Sequence, residues 1–313
     1  MKYLLCGILF FSCQILNAKI CQTWGTHSTL GHLDHKIINE SSGLIVSQYP
    51  NRLYHVNDSG DGAFFYQTTE SGLATKKIEI NNFFPQDVES LAYGNCADGK
   101  GKCIILADIG DNNESRDTVS FVVIKEELDF PDKVDALATV VARYPDGAHN
   151  VEAVAMHPNG DLYILTKVVD WINNRSGPAQ LFVLRKEQLL ATSNEVKTLE
   201  LRGIIDLPFH LYNFNLWGRI ATGFDISPLG DRILIATYKA AVEIKIDLGA
   251  GIVPNFRTMK LGVDFTIIPF APLLQIESIA YANTNSFLYT TEYHKKQGPS
   301  PIVSVSCTDL ISD

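Results

Sequence analysis

Apolar and polar positions alternate in short runs along most of the chain, and stretches of 3.6-residue periodicity are scarce. Runs of this kind bounded by Gly, Pro, Asn and Asp read as strands joined by tight turns. One such unit, Met156-His157-Pro158-Asn159-Gly160-Asp161-Leu162-Tyr163-Ile164-Leu165-Thr166-Lys167, aligns with a second, Ile226-Ser227-Pro228-Leu229-Gly230-Asp231-Arg232-Ile233-Leu234-Ile235-Ala236-Thr237. Glu89-Ser90-Leu91-Ala92-Tyr93, Glu152-Ala153-Val154-Ala155-Met156 and Glu277-Ser278-Ile279-Ala280-Tyr281 share another pattern, an acid followed by alternating small and apolar residues. Small-residue strands suit a crowded position.

Five segments, beginning at Ser42, Glu89, Glu152, Thr222 and Glu277, align as strand, turn and strand at spacings of 47 to 70 residues. Ankyrin and leucine-rich units are shorter; a four-stranded propeller blade with its loops fits. The chain therefore predicts an all-β fold, a β-propeller of five blades. Six is the alternative if the stretch from Glu152 to Thr222 holds a degenerate blade. Scarce amphipathic helices exclude α/β barrels and Rossmann folds. The last unit stops after a third strand over Ile302 to Cys307, so its outermost strand must come from the segment after Ala18. Strands from both termini then close the ring.

Lys2, the apolar run Tyr3 to Phe11 and the small Ala18 read as a cleaved signal peptide over residues 1–18, leaving 19–313 as a single propeller domain. Lipoprotein processing at Cys13 is the alternative. Either places the protein outside the cytoplasm, secreted or periplasmic. No later segment of about twenty apolar residues offers a membrane span. Four cysteines remain in the mature chain, and disulfides are expected: Cys96 with Cys103 across a turn, and Cys21 with Cys307 at the ring closure. The chain carries 26 Lys and Arg against 35 Asp and Glu, a formal charge of −9 that opposes nucleic acid and anionic membrane surfaces. A monomer is expected.

In a propeller the first strand of each blade lines the central channel and the second runs antiparallel beside it. Starts of first strands and ends of second strands therefore meet at one mouth. This register gathers Glu89, Glu152 and Glu277 with Asn57, Asp58, Asp108, Lys167, Tyr238 and Glu292. Carboxylates crowded together repel and either take up protons or hold a cation. Oxygen donors without thiols favour a hard ion, calcium before magnesium, with Glu89, Glu152, Glu277 and Asn57 as ligands. Asp58, Asp108, Arg143, Lys167, Tyr238 and Glu292 are candidate ligand-binding rim residues. Glu152 and His149 are candidate bases. The competing structural reading has the glutamates accepting backbone N–H groups, with Lys167 as their internal counter-ion. Asp61 and Asp111, in two D-x-G-D loops, read as Asx turns. Trp171 and Trp217 lie in long insertions, either as an aromatic binding wall or as packing. Gly-x-Ser-x-Gly, phosphate-loop and His-Glu-x-x-His motifs are absent.

The runs Glu40-Ser41-Ser42-Gly43-Leu44, His55-Val56-Asn57-Asp58-Ser59-Gly60-Asp61, Asp108-Ile109-Gly110-Asp111-Asn112 and Tyr144-Pro145-Asp146-Gly147, with Glu152-Ala153, resemble a family of secreted bacterial propellers, mostly uncharacterised. That resemblance spans most of the mature chain. A more distant one, resting on fold and a Glu-rich channel, is to phytase-like esterase and gluconolactonase or paraoxonase-type propellers. These hold calcium in the channel, which implies hydrolysis of a small ester, lactone or phosphoester. Ser42 and Thr222 depart from the acid at two of the five positions. The alternative is a non-catalytic scaffold for a carbohydrate or protein partner.

Overall fold

The computed structural model describes residues 19–190, 195–208 and 215–309; the predicted signal segment, Cys13 included, lies outside the described residues. Five sheets, each with four antiparallel strands, follow one another along the chain, and in four of them the strands run from the axis outward in chain order. Blade 1 comprises Ser41–Val46, Leu53–Asn57, Phe64–Thr68 and Lys76–Ile80. Blade 2 comprises Val88–Asn95, Lys102–Asp108, Val119–Lys125 and Ala138–Arg143. Blade 3 comprises Val151–Met156, Leu162–Thr166, Ala179–Leu184 and Glu200–Ile205. Blade 4 comprises Ala221–Ile226, Arg232–Thr237, Ala240–Lys245 and Phe265–Pro269. Blade 5 has Ile276–Asn283, Ser286–Thr291 and Pro301–Ser306, and takes its fourth strand, Ser28–His32, from the N-terminal segment. The fold is a five-bladed propeller closed by strands from both termini. The stretch from Glu152 to Thr222 holds one blade and a two-stranded hairpin, Val169–Asp170 with Arg175–Ser176, which sets aside the six-bladed alternative.

Among the described residues, five clusters of apolar side chains are each shared by two neighbouring blades, and a sixth, small one gathers Trp24 against the Cys21 and Cys307 pair. Tyr54 and Phe65 of blade 1 pack with Leu106 and Val122 of blade 2; Leu44 and Leu53 of blade 1 pack with Leu288 and Ile302 of blade 5. Burial between blades supplies the driving force, and each sheet hides both faces. The inner strands touch around the ring, blade 1 meeting both blade 2 and blade 5. Since the cores lie between sheets, the fold does not depend on apolar packing on the axis, and polar residues can gather at one end of the channel.

Two of the outer sheet edges are also covered. Lys133–Val134, in the connection between the third and fourth strands of blade 2, pairs in parallel with the outer edge of blade 1; Lys197–Thr198 does the same from blade 3 to blade 2. Such added strands occupy edges that would otherwise invite foreign pairing. At the closure, Cys21 and Cys307 are disulfide-bonded, and so are Cys96 and Cys103. The Cys21 backbone N–H donates to Glu243, which is ion-paired at 2.9 Å with the fully buried Arg232. The N-terminal segment is thereby tied to blade 4 as well as to blade 5.

Candidate functional site at the channel mouth

Each inner strand begins with a β-bulge, and the five extra residues are Ser42, Glu89, Glu152, Thr222 and Glu277. A bulge re-aims the inserted side chain out of the pleat. Here it does so in every blade, and all five residues are buried. The repeat read along the chain is thus a repeat of bulges at one end of the channel. Two further rings share this register. Immediately beyond the second strands stand Asp58, Ile109, Lys167, Tyr238 and Glu292; two residues before the bulges stand Glu40, Asp87, Asn150, Ile220 and Gln275. Equivalent backbone bonds join the rings in four blades: the N–H groups of Asp58, Ile109, Lys167 and Glu292 donate to the carbonyls of Glu40, Asp87, Asn150 and Gln275.

Charge at the mouth is lopsided. Lys167 donates to Glu152 at 2.8 Å, with both side chains almost fully buried. Burial alone would pull the Lys167 ammonium down, but Glu152 and Glu277 outweigh it and hold the group above its ordinary value. Tyr238 feels Glu277 and Lys167 together, and the Lys167 ammonium lies 5.7 Å from its ring. The Glu277 carboxyl is driven well up by burial, and its buried Oε2 has no hydrogen-bond partner among the described residues. Burial, with Asp58 and Glu40 nearby, pushes Glu292 up to about 7. Ser42 donates to both the carbonyl and Oε2 of Glu89.

Blades 1 and 2 carry the opposite situation. One oxygen each of Asp58, Asp87 and Glu89 lies within 4.8 Å of the others. Burial, then Asp58, pushes Asp87 up to about 7; burial, then Glu152, Asp58 and Asp87, drives Glu89 well above the carboxylate range. Asp87 Oδ1 is buried and unpartnered among the described residues. The neighbouring cation, Arg116, is turned aside: its guanidinium donates to Asp108 at 3.0 Å and to the Gly110 carbonyl. Gly110 permits the close packing here, because a Cβ at that position would sit 2.4 Å from Asp87 Oδ2 and 2.6 Å from Glu89 Oε1. A cavity of about 170 Å³ opens beside Asp58 and Asp87. Three converging carboxylate oxygens fit a hard divalent cation.

The remaining predicted residues serve other contacts. Asn57 accepts from the Glu40 N–H and donates to the Ile37 carbonyl. Asp108 occupies the same place in blade 2, accepting from the N–H groups of Gln86 and Asp87 as well as from Arg116 and Ser120. Both side chains pin the approach to an inner strand. Asp111 accepts from Ser115 and Arg116 backbone, and Asp61 from the Tyr66 hydroxyl at 2.6 Å. His149 lies 2.9 Å from Asp146 and meets Tyr144 edge-on and Phe182 at a tilt, ahead of blade 3. Arg143 ends the fourth strand of blade 2 and borders a groove with Glu187 and Glu195. Three strand spacings of about 4.8 Å, some 14 Å, separate a fourth strand from the inner one. Trp171 and Trp217 meet at 5.2 Å, each about half exposed, and Trp217 meets Tyr238 edge-on.

Asp87 was the residue that sequence reasoning missed. The signal that finds it is its position two before Glu89, matching Glu40 before Ser42 and Gln275 before Glu277.

Comparison with known proteins yields fold but no family. No protein-family profile matches the chain, and no curated protein does. Among solved structures it matches the PQQ-bound aldose sugar dehydrogenase of Streptomyces coelicolor at 12% identity and TM-score 0.50, over 92% of this chain and 99% of that one. A protein described as a gluconolactonase matches at 9% identity and TM-score 0.45, over 90% and 92%. Hydrazine synthase of Kuenenia stuttgartiensis matches at 12% identity and TM-score 0.44, over 84% and 70%. At these identities the likeness extends to the fold alone.

Proposed function

We propose that the protein is an extracytoplasmic propeller whose channel mouth holds a divalent cation, calcium by donor chemistry, and hydrolyses a small ester, lactone or phosphoester. The observation that carries this reading is the convergence of one oxygen each from Asp58, Asp87 and Glu89 within 4.8 Å, with Arg116 and Lys167 committed elsewhere. The set differs from the ligands expected from sequence, sharing Glu89 and replacing Glu152, Glu277 and Asn57 with Asp58 and Asp87. A bound cation supplies Lewis acidity, polarising a carbonyl or phosphoryl oxygen. The chain's own residues do the rest. Glu152, fixed by Lys167, accepts a proton from water; the Lys167 ammonium and the Tyr238 hydroxyl are donors toward developing negative charge. Buried walls around the bulge ring limit bulk water. Two disulfides support an oxidising compartment, in keeping with a signal peptide over 1–18. The half-exposed pair Trp171 and Trp217 favours a second reading, a scaffold that binds carbohydrate without turnover.

Calorimetric titration with calcium, followed by an esterase, lactonase and phosphoesterase panel with and without chelator, separates the two. Binding abolished by Asp87→Asn with chelator-sensitive turnover is the expected result. Calcium binding without any turnover leaves the scaffold reading, and no calcium binding removes the metal site.

A further inference from the structure

The opposite end of the channel carries a second cavity that the acidic mouth does not use. Inner-strand ends from all five blades line it, among them Ile45, Gly94, Met156, Ile226 and Ala280, and it encloses about 300 Å³. That lies at the lower end of small-molecule sites. Its walls are mixed, apolar side chains alternating with Ser47, Gln48, Asn95 and Ser227, and one carboxylate, Asp225, is set among them. Asp225 accepts from the Ile226 N–H at 2.8 Å and from the Tyr281 N–H at 2.7 Å, joining blade 4 to blade 5. Among the described residues it forms no ion pair, and burial pushes its carboxyl up to about 7. The rim cation, Lys102, donates instead to Asn95 at 2.9 Å.

Two tyrosine rings complete the lining, Tyr93 and Tyr281. Each gives its hydroxyl proton to a buried carboxylate: Tyr93 to Glu126 at 2.5 Å and Tyr281 to Glu243 at 3.0 Å. Each ring already lies near a cation, the Lys102 ammonium 5.9 Å from the Tyr93 centroid and the Arg232 guanidinium 5.7 Å from that of Tyr281, so the rings serve mainly as apolar walls and Asp225 is the feature that selects a guest. An anion would face Asp225 directly. A neutral apolar guest would seal an uncompensated carboxylate from water, at a high desolvation cost. A bare calcium or magnesium ion needs six or more oxygen ligands and finds one carboxylate, both of whose oxygens already accept an N–H. What remains is positive charge carried on an apolar body.

We propose that this lower mouth is a second binding site, taking a small organic cation, a protonated amine whose ammonium meets Asp225 and whose apolar part fills the space between Met156, Ile226 and the tyrosine rings. The site is separate from the acidic mouth and does not rest on catalysis there. The formal charge of −9 draws cations toward the protein generally.

Titration calorimetry of the mature protein near pH 8 with benzylammonium, benzyl alcohol and benzoate tests it. Benzylammonium should bind, benzyl alcohol at least tenfold more weakly, and benzoate not at all. Asp225→Asn should weaken benzylammonium at least tenfold. Ala282→Phe, which places a ring at the partly exposed cavity rim, should abolish binding while unfolding stays cooperative. Glu89→Gln, at the other mouth, should change nothing. Equal affinity for the alcohol and the ammonium, binding that survives Ala282→Phe, or no heat with benzylammonium would each overturn the proposal.

Discussion

Lowering the pH from 8 to 6 should weaken calcium binding at the upper mouth at least tenfold. Asp87 is pushed up to about 7 by burial and by the facing Asp58. A carboxyl with that value is about 90% ionised at pH 8 and about 10% ionised at pH 6, a difference of about 1.4 kcal/mol in the availability of the ligand. Glu89, held higher by burial and by Glu152, must also release its proton, so the dependence steepens beyond what Asp87 alone gives. Proton release should be visible as a binding enthalpy that changes with the ionisation heat of the buffer. The same shifts set the stability of the metal-free protein. Carboxyls raised in the folded state bind protons more tightly there than in the unfolded chain, whose values lie near 4. Stability is therefore fully present below about pH 4, falls as pH rises through about 7, and is restored by calcium. Calorimetry at both pH values in Tris and HEPES, with thermal unfolding alongside, reads all three effects. Equal affinity at pH 6 and 8 with no proton released would refute the coupling of Asp87 to a cation.

Lys167→Met should cost about 3–5 kcal/mol in urea unfolding, since it strands buried Glu152 and Glu277, whereas Lys167→Met with Glu152→Gln should recover most of that loss. An unchanged midpoint for the single variant would show that the pair is dispensable. Removing the closure disulfide as Cys21→Ser with Cys307→Ser should destabilise far more than Cys96→Ser with Cys103→Ser, because the closed loops span 286 and 7 residues. Chain entropy gives roughly 5.7 kcal/mol for the first and roughly 2.4 kcal/mol for the second. Similar midpoints for the two double variants would contradict an entropic origin.

The amino-acid sequence by itself determined the repeat, the five blades, the ring closure and both disulfide pairings. It also marked Ser42, Glu89, Glu152, Thr222 and Glu277 as equivalent, and each proved to be the extra residue of a bulge. Such features are legible because they recur along the chain: each blade buries the same pattern against its neighbours, and cysteines at the two ends meet only if the ring closes. Which charges neutralise which was decided by tertiary structure. Lys167 is one residue past its strand in the same register as Asp58, yet it reaches Glu152, while Arg116 is spent on Asp108 and Gly110. Those choices leave Asp58, Asp87 and Glu89 as the uncompensated group. Register orders residues along each blade, but ion pairing depends on ångström distances between side chains set by blade packing and by side-chain length. An orphaned oxygen such as Asp87 Oδ1 exists only once its surroundings are buried.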